Sequence, residues 1–169
     1  MSNFRRSWSI KGKRALLDQQ QIFVNGYLYT AINPITGEDF HLINLDSMNT
    51  DTELLFLTEL KKQHPYTHVY VVFDNAPSHK SKKIHEIKGL SIINLPAYSP
   101  ELNPAERYFL EVRRLTCNQI YDGLRSIEER ITTYINSCTK ESIKSLCGYD
   151  WIIEQCRMLG YAEVRLEMV

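Results

Sequence analysis

The sequence predicts an α/β fold: a mixed β-sheet flanked by helices. Three observations carry that expectation. Two unbroken apolar runs, residues 69 to 73 and 90 to 95, have the length and composition of strands buried on both faces. A pair of β-branched and aromatic segments upstream is joined by a turn and reads as a hairpin. Between and after these lie segments whose apolar residues recur at helical spacing.

Taken in order, residues 1 to 20 are polar and basic, with Trp8 as the one large apolar anchor. Residues 22 to 32 read as the first strand, with a bulge or local turn at Asn25-Gly26. Asn33-Pro34-Ile35-Thr36-Gly37 is a turn signal, and residues 39 to 45 form the partner strand. Asn49 or Thr50 caps a helix running to about Gln63, with Leu54, Phe56, Leu57 and Leu60 as its apolar set and Pro65 as its stop. A short helix is expected from Ser78 to about Ile87, ended by Gly89. Residues 96 to 104 contain three prolines and read as a rigid loop. Pro104 suits a first helical turn, which places Glu106 within that turn of a helix reaching about Gln119. Further helices are expected over 126 to 137, with Ile127, Ile131 and Ile135 one turn apart, and over 140 to 146 and 151 to 158. A hairpin followed by helix-linked parallel strands gives a mixed sheet covered by helices.

The 169 residues suffice for one domain with a real core, and the sequence contains no repeat, low-complexity tract or linker. With 43% hydrophobic and 24% charged residues the chain reads as soluble. No apolar run approaches the ~20 residues that span a bilayer. The first residues lack the apolar stretch of a signal peptide. Cys117, Cys138, Cys147 and Cys156 have no paired spacing and read as reduced thiols, which fits a cytoplasmic protein. The net charge of zero gives no global argument for a nucleic-acid partner. Locally, Arg5, Arg6, Lys11, Lys13 and Arg14 cluster near the start, and Lys80, Lys82 and Lys83 follow the loop that begins at Asp74. Each cluster is either a phosphate-binding patch or a solvated face.

The chemistry-bearing candidates are two acids. Asp74 ends the run Val69-Tyr70-Val71-Val72-Phe73, and Glu106 opens a helix. Hard divalent cations take oxygen ligands, and Mg²⁺ uses one or two carboxylates with waters and phosphates. Carboxylates from a strand end and a helix start are placed to share such an ion. Each acid alone is a weak signal, since Asp is common in turns and Glu suits a helix N-terminus electrostatically.

Their surroundings add specificity. Phe73-Asp74-Asn75-Ala76-Pro77-Ser78-His79-Lys80-Ser81 resembles the second-acid motif of DDE-type insertion-sequence transposases, in the bacterial group related to mariner elements. The stretch from Leu95 to Glu106 (Leu-Pro-Ala-Tyr-Ser-Pro-Glu-Leu-Asn-Pro-Ala-Glu) resembles that group's third-acid motif. Arg6-Ser7-Trp8-Ser9-Ile10-Lys11-Gly12-Lys13-Arg14 is similar to the stretch just after the first acid. The three matches follow family order over residues 5 to 115. The resemblance implies an RNase H-like fold and metal-dependent DNA cleavage and strand transfer in transposition. Asp74 and Glu106 would then be catalytic metal ligands for Mg²⁺ or Mn²⁺, two ions serving the complete enzyme.

The family's first Asp should precede the Trp8 motif, and here no Asp does. Asp18 and Asp46 stand on the wrong side of it. The resemblance therefore implies a C-terminal catalytic portion without its first strand and without a helix-turn-helix region. An apolar edge is then expected beside the strand at 69 to 73, favouring aggregation or a partner segment. Asn75, His79, Tyr98 and Asn103 are candidates to brace or shape the site, each with a local hydrogen-bonding or turn role as the alternative. Arg5, Arg6, Trp8, Lys11, Lys13, Lys80, Lys82 and Lys83 are candidate DNA contacts, with packing the stronger reading for Trp8. Glu101 is a rival for the third acid. Asp150, Trp151 and the later helices read as packing. The partners expected are DNA, as element ends and target, and a second copy or an upstream transposase segment. The alternative function is a non-catalytic remnant that binds DNA or associates with full-length transposase.

Overall fold

The computed structural model describes residues 9–13, 26–44, 49–73, 82–97, 99–158 and 165–168. The chain order is β1 (Tyr27–Ile32), β2 (Asp39–Asn44), α1 (Thr50–Gln63), β3 (Val69–Phe73), α2 (Lys82–His85), β4 (Leu90–Asn94), α3 (Ala105–Thr116), α4 (Leu124–Ser137), α5 (Lys140–Cys147), α6 (Asp150–Met158) and β5 (Arg165–Met168). The strands form a mixed sheet ordered β2-β1-β5-β3-β4. The hairpin is antiparallel, with Tyr29 opposite Leu42 and Ala31 opposite Phe40. β3 and β4 are parallel, as a helix-linked crossover requires.

Strand alternation sends side chains to two separate cores. On one face Tyr29, Ala31, Val69, Val71, Phe73 and Leu90 pack with Phe56, Leu57 and Leu60 of α1 and Ile84 of α2. On the other, Ile32 and Val72 pack with Ala105, Tyr108 and Val112 of α3, Ile143 and Cys147 of α5, and Ile152 of α6. The result is a three-layer α/β/α arrangement in which α1 and α3 lie on opposite faces. α1 opens with a reciprocal cap: the Asn49 side chain accepts from the Asp51 and Thr52 N–H groups, and the Thr52 hydroxyl accepts from the Asn49 N–H.

The hairpin turn also carries a close approach. Gly37 has φ 73°, and a Cβ there would lie 2.1 Å from the Lys140 carbonyl oxygen. Only glycine fits both the left-handed backbone and the approach of α5. Lys140 closes the same contact by an ion pair to Glu38 at 2.8 Å.

Three expectations are corrected. β3 has no open edge: β5 lies beside it in parallel, with Val69 opposite Arg165 and Val72 opposite Met168. The C-terminal strand thus occupies the central place between β1 and β3, although it meets β1 only at Ile32–Met168. α3 ends at Thr116, short of Gln119, because Asn118 adopts φ 55° and a left-handed residue ends a helix. Trp151 is 48% exposed, and the packing position on α6 belongs to Ile152. Among the described cysteines, Cys147 is buried and Cys117 and Cys138 are half-buried, all as free thiols. Among the described residues, no helix is long and apolar enough to cross a membrane.

Candidate functional site

The site is assembled where the C-terminal end of β3 meets the start of α3. Leu95 N–H donates to the Phe73 carbonyl at 2.8 Å, so β3 is held to the beginning of the proline-rich loop. That loop passes through a 3₁₀ turn, Pro100–Leu102, and enters α3 through Asn103 and Pro104. Asn103 is buried, and its side-chain oxygen accepts from the Ala105 N–H at 3.0 Å. Its backbone carbonyl accepts from the Glu106 N–H at 3.1 Å, and Pro104 accepts from Arg107. Proline at the helix entrance withholds no useful donor, because its position would have been unpaired anyway. Asn103 and Pro104 thereby fix the first turn of α3, and with it the backbone of Glu106.

Glu106 is half-buried in that first turn. The N-terminal end of a helix stabilises a carboxylate there. Glu101, the rival acid, sits in the exposed 3₁₀ turn. Two residues on from Glu106, Tyr108 is fully buried, and its hydroxyl lies 3.4 Å from His41 Nε2. His41 in turn pairs with Asp39 at 2.7 Å and with Thr30 at 3.1 Å through Nδ1. This chain ties α3 to the hairpin across the sheet face. Burial, reinforced by nearby Cys138 and Asp39, pushes the Tyr108 hydroxyl far above its ordinary range. Burial likewise raises Tyr134 to about 12. Both rings therefore stay neutral and act as hydrogen-bonding, space-filling groups. A cavity of about 330 Å³ lies among Tyr108, Glu111, Tyr134, Cys138 and Leu146.

Of the residues expected from sequence, Glu106 and Asn103 are brought together at the start of α3. Lys11 and Lys13 are exposed in a short turned segment. Lys83 is exposed on α2 and faces Asp51 of α1 at 3.7 Å. Lys82 opens α2, its side chain outside the described set. Arg5, Arg6, Trp8, Asp74, Asn75, His79, Lys80 and Tyr98 lie outside the described residues. Among the described residues, no three His, Cys, Asp or Glu side chains converge to hold a metal ion. The donor chemistry at Glu106, a half-exposed carboxylate at a helix start, fits one ligand of a hard divalent cation. The sequence does not single out Arg107, next to Glu106, whose guanidinium carbon sits 5.2 Å over the Tyr149 ring, and Trp151, which stacks on Tyr149, reads there only as packing. Their signal is an Arg next to a candidate acid and two aromatics one residue apart, too common to single out.

Comparison with known proteins adds three findings. The sequence model of a family described as "DDE superfamily endonuclease" matches residues 1–127. The fold is similar to a structure described as "Mos1 transposase paired-end complex with left transposon end", with TM-score 0.64 and 18% identity, covering 85% of this chain and 46% of that one. It is also similar to "Crystal structure of the Mos1 Strand Transfer Complex", with TM-score 0.63 and 19% identity, covering 83% and 44%. The chain thus spans under half the length of those proteins. Comparison with curated proteins finds no match.

Proposed function

Since the chain belongs to the DDE superfamily endonucleases, we propose that it is the catalytic portion of an insertion-sequence transposase acting on DNA in the cytoplasm. The observation that carries this reading is the fixed first turn of α3. There Asn103 and Pro104 present Glu106 close to the loop that Leu95 pins to the last residue of β3. Asp74 is the next residue in sequence after Phe73. The reading makes Asp74 and Glu106 ligands of Mg²⁺ or Mn²⁺. Bound divalent cations supply activation of the attacking oxygen and stabilisation of the leaving one at a scissile phosphate. Glu106, in the first turn of α3, would hold its share of that charge. Water and a DNA 3′-hydroxyl serve in turn as attacking groups, and no covalent protein nucleophile is required. Element ends and target DNA are the substrates.

The test is Mn²⁺-dependent nicking of element-end DNA, with an upstream transposase segment supplied in trans. Asp74→Ala and Glu106→Gln are expected to abolish it while leaving the circular-dichroism spectrum intact. Undiminished nicking by either variant would sink the assignment.

A second reading, a non-catalytic remnant that binds DNA or pairs with full-length transposase, draws support from β5. The register puts Glu167 opposite Val71, in the row of positions belonging to the α1 face. Leu166 and Met168 are opposite Tyr70 and Val72, in the row belonging to the α3 face. The strand that fills the central place thus comes from the C-terminal end of the chain, paired with β3 from Val69 to Val72. Inhibition of an active transposase by this chain, without activity of its own, is the outcome that reading requires.

A further inference from the structure

We propose that Arg107, Tyr149 and Trp151 form a stacking platform for unpaired nucleotides of single-stranded DNA, beside Glu106. This inference rests on the endonuclease reading and names a contact surface for its substrate. The three side chains make a ladder. The Arg107 guanidinium carbon lies 5.2 Å from the Tyr149 ring centroid. The Tyr149 and Trp151 rings are stacked at 6.3 Å with 20° between their planes. The base of the ladder is rigid. Tyr149 packs against the α3-face core, and its carbonyl accepts from the Ile152 and Ile153 N–H groups, which open α6. Ile152, next to Trp151, is only 4% exposed and anchors that helix.

The outer end of the ladder is open: Trp151 is 48% exposed and Arg107 is exposed. Trp151 keeps about half its surface in water while its smaller neighbour Ile152 takes the core position. A half-open indole on a fixed aromatic stack presents a flat apolar face, and any base has a complementary one. Arg107 supplies the positive charge for the adjoining phosphate, and its main-chain bond to Pro104 holds it in the turn that carries Glu106. The acids flanking Trp151, Asp150 and Glu154, are both exposed on α6. They repel a backbone on that side, so the strand's phosphates run on the Arg107 side. The platform favours unpaired nucleotides because a base stacked inside a duplex has no free face to offer.

The test uses the full chain, a labelled dT12 oligonucleotide and a duplex of equal length, in EDTA so that no cleavage intervenes. Trp151→Ala is expected to weaken dT12 binding about ten-fold or more, with Trp151→Phe restoring most of it. Arg107→Ala should reduce the salt dependence of dT12 binding by about one phosphate contact. The chain has two tryptophans, so the fluorescence lost between the parent and Trp151→Phe isolates the Trp151 signal, which should be quenched by dT12. Unchanged dT12 affinity in Trp151→Ala, absence of quenching, or an equal loss for duplex and single strand would each overturn the platform. Because these readouts need no metal, they stand apart from the nicking assay. Loss of nicking in Glu106→Gln with intact dT12 binding supports both readings. Undiminished nicking by Glu106→Gln with intact dT12 binding refutes the metal-ligand assignment alone.

Discussion

Replacing Asn103 by alanine tests whether burial or bond number decides the worth of a helix cap. The Asn103 side chain, just ahead of α3, accepts from the Ala105 N–H at 3.0 Å, at a site where Asn103 is 6% exposed and Ala105 is fully buried. Asn49, at the start of α1, makes two such bonds, to Asp51 at 3.0 Å and Thr52 at 2.9 Å, but is exposed. A cap is typically worth about 1 kcal/mol. Leaving a buried N–H without an acceptor costs about 1–3 kcal/mol, because no water replaces the lost partner. At Asn49 water does replace it. Asn103→Ala is therefore expected to cost about 2 kcal/mol and Asn49→Ala about 1 kcal/mol or less. For a domain of this size the first corresponds to a fall in Tm of roughly 4–8 °C. Urea unfolding of the two variants, with an unchanged slope, gives the comparison directly. The aspartate variant, Asn103→Asp, keeps the acceptor at a helix N-terminus and should retain most of the stability. An Asn49→Ala cost equal to or above that of Asn103→Ala would refute the reasoning. If Glu106 is a metal ligand as proposed, Asn103→Ala should also weaken Mn²⁺ binding, because Glu106 follows the Ala105 N–H by one residue, whereas Asn49→Ala should leave it unchanged.

Two further predictions concern the sheet and the α3-face core. Deleting residues 165–169 removes the strand paired with four positions of β3, uncovering an edge whose Val69, Val71, Val72 and Phe73 are buried. The deleted chain should run as oligomers by light scattering, and a monomer as stable as the parent would count against β5 as a structural strand. Burial raises the Cys147 thiol to about 11 from an ordinary value near 9. The folded state thus favours the neutral thiol, so its contribution is complete below pH 9 and is lost as pH rises from 9 to 11. At ~1.4 kcal/mol per unit over two units this is at most roughly 3 kcal/mol. Cys147→Ala should flatten the pH dependence of unfolding free energy in that window. An unaltered slope would show that other groups govern alkaline stability.

The parts of the fold legible in sequence are those where local signals and tertiary packing agree. Val69–Phe73 is apolar throughout because both faces of β3 are covered, and Asn49 and Pro104 mark helix starts through backbone chemistry that needs no partner. β5 was illegible for the opposite reason. Arg165-Leu166-Glu167-Met168 contains no β-branched residue, and its strand conformation comes from pairing with β3. Trp151, expected to pack, stays half-exposed because helical phase gives the core position to Ile152. The His41–Tyr108 contact joins residues 67 apart in sequence, and no periodicity reports a separation of that length. At the site, Glu106 was readable from its helix-start context, whereas the aromatic ladder emerges only when α3 and α6 are placed on one face.

That placement also separates basic residues which sequence alone groups together. α2 packs through Ile84 into the α1-face core, and Lys83 meets Asp51 at the start of α1. Lys83 therefore belongs to the side of the sheet opposite α3. Charges at exposed sites are screened over about 10 Å at ordinary ionic strength, and a sheet-to-helix layer is itself about that thick. On the proposed reading, a phosphate at the Glu106 site would be shielded from Lys83 and exposed to Arg107 on the same first turn, so the cations steering a strand would be those on the α3 face. A contribution of Lys83 to DNA affinity would then require the nucleic acid to wrap the edge of the sheet. Neutralising Lys83 should leave affinity for a short oligonucleotide unchanged and lower it only for longer DNA.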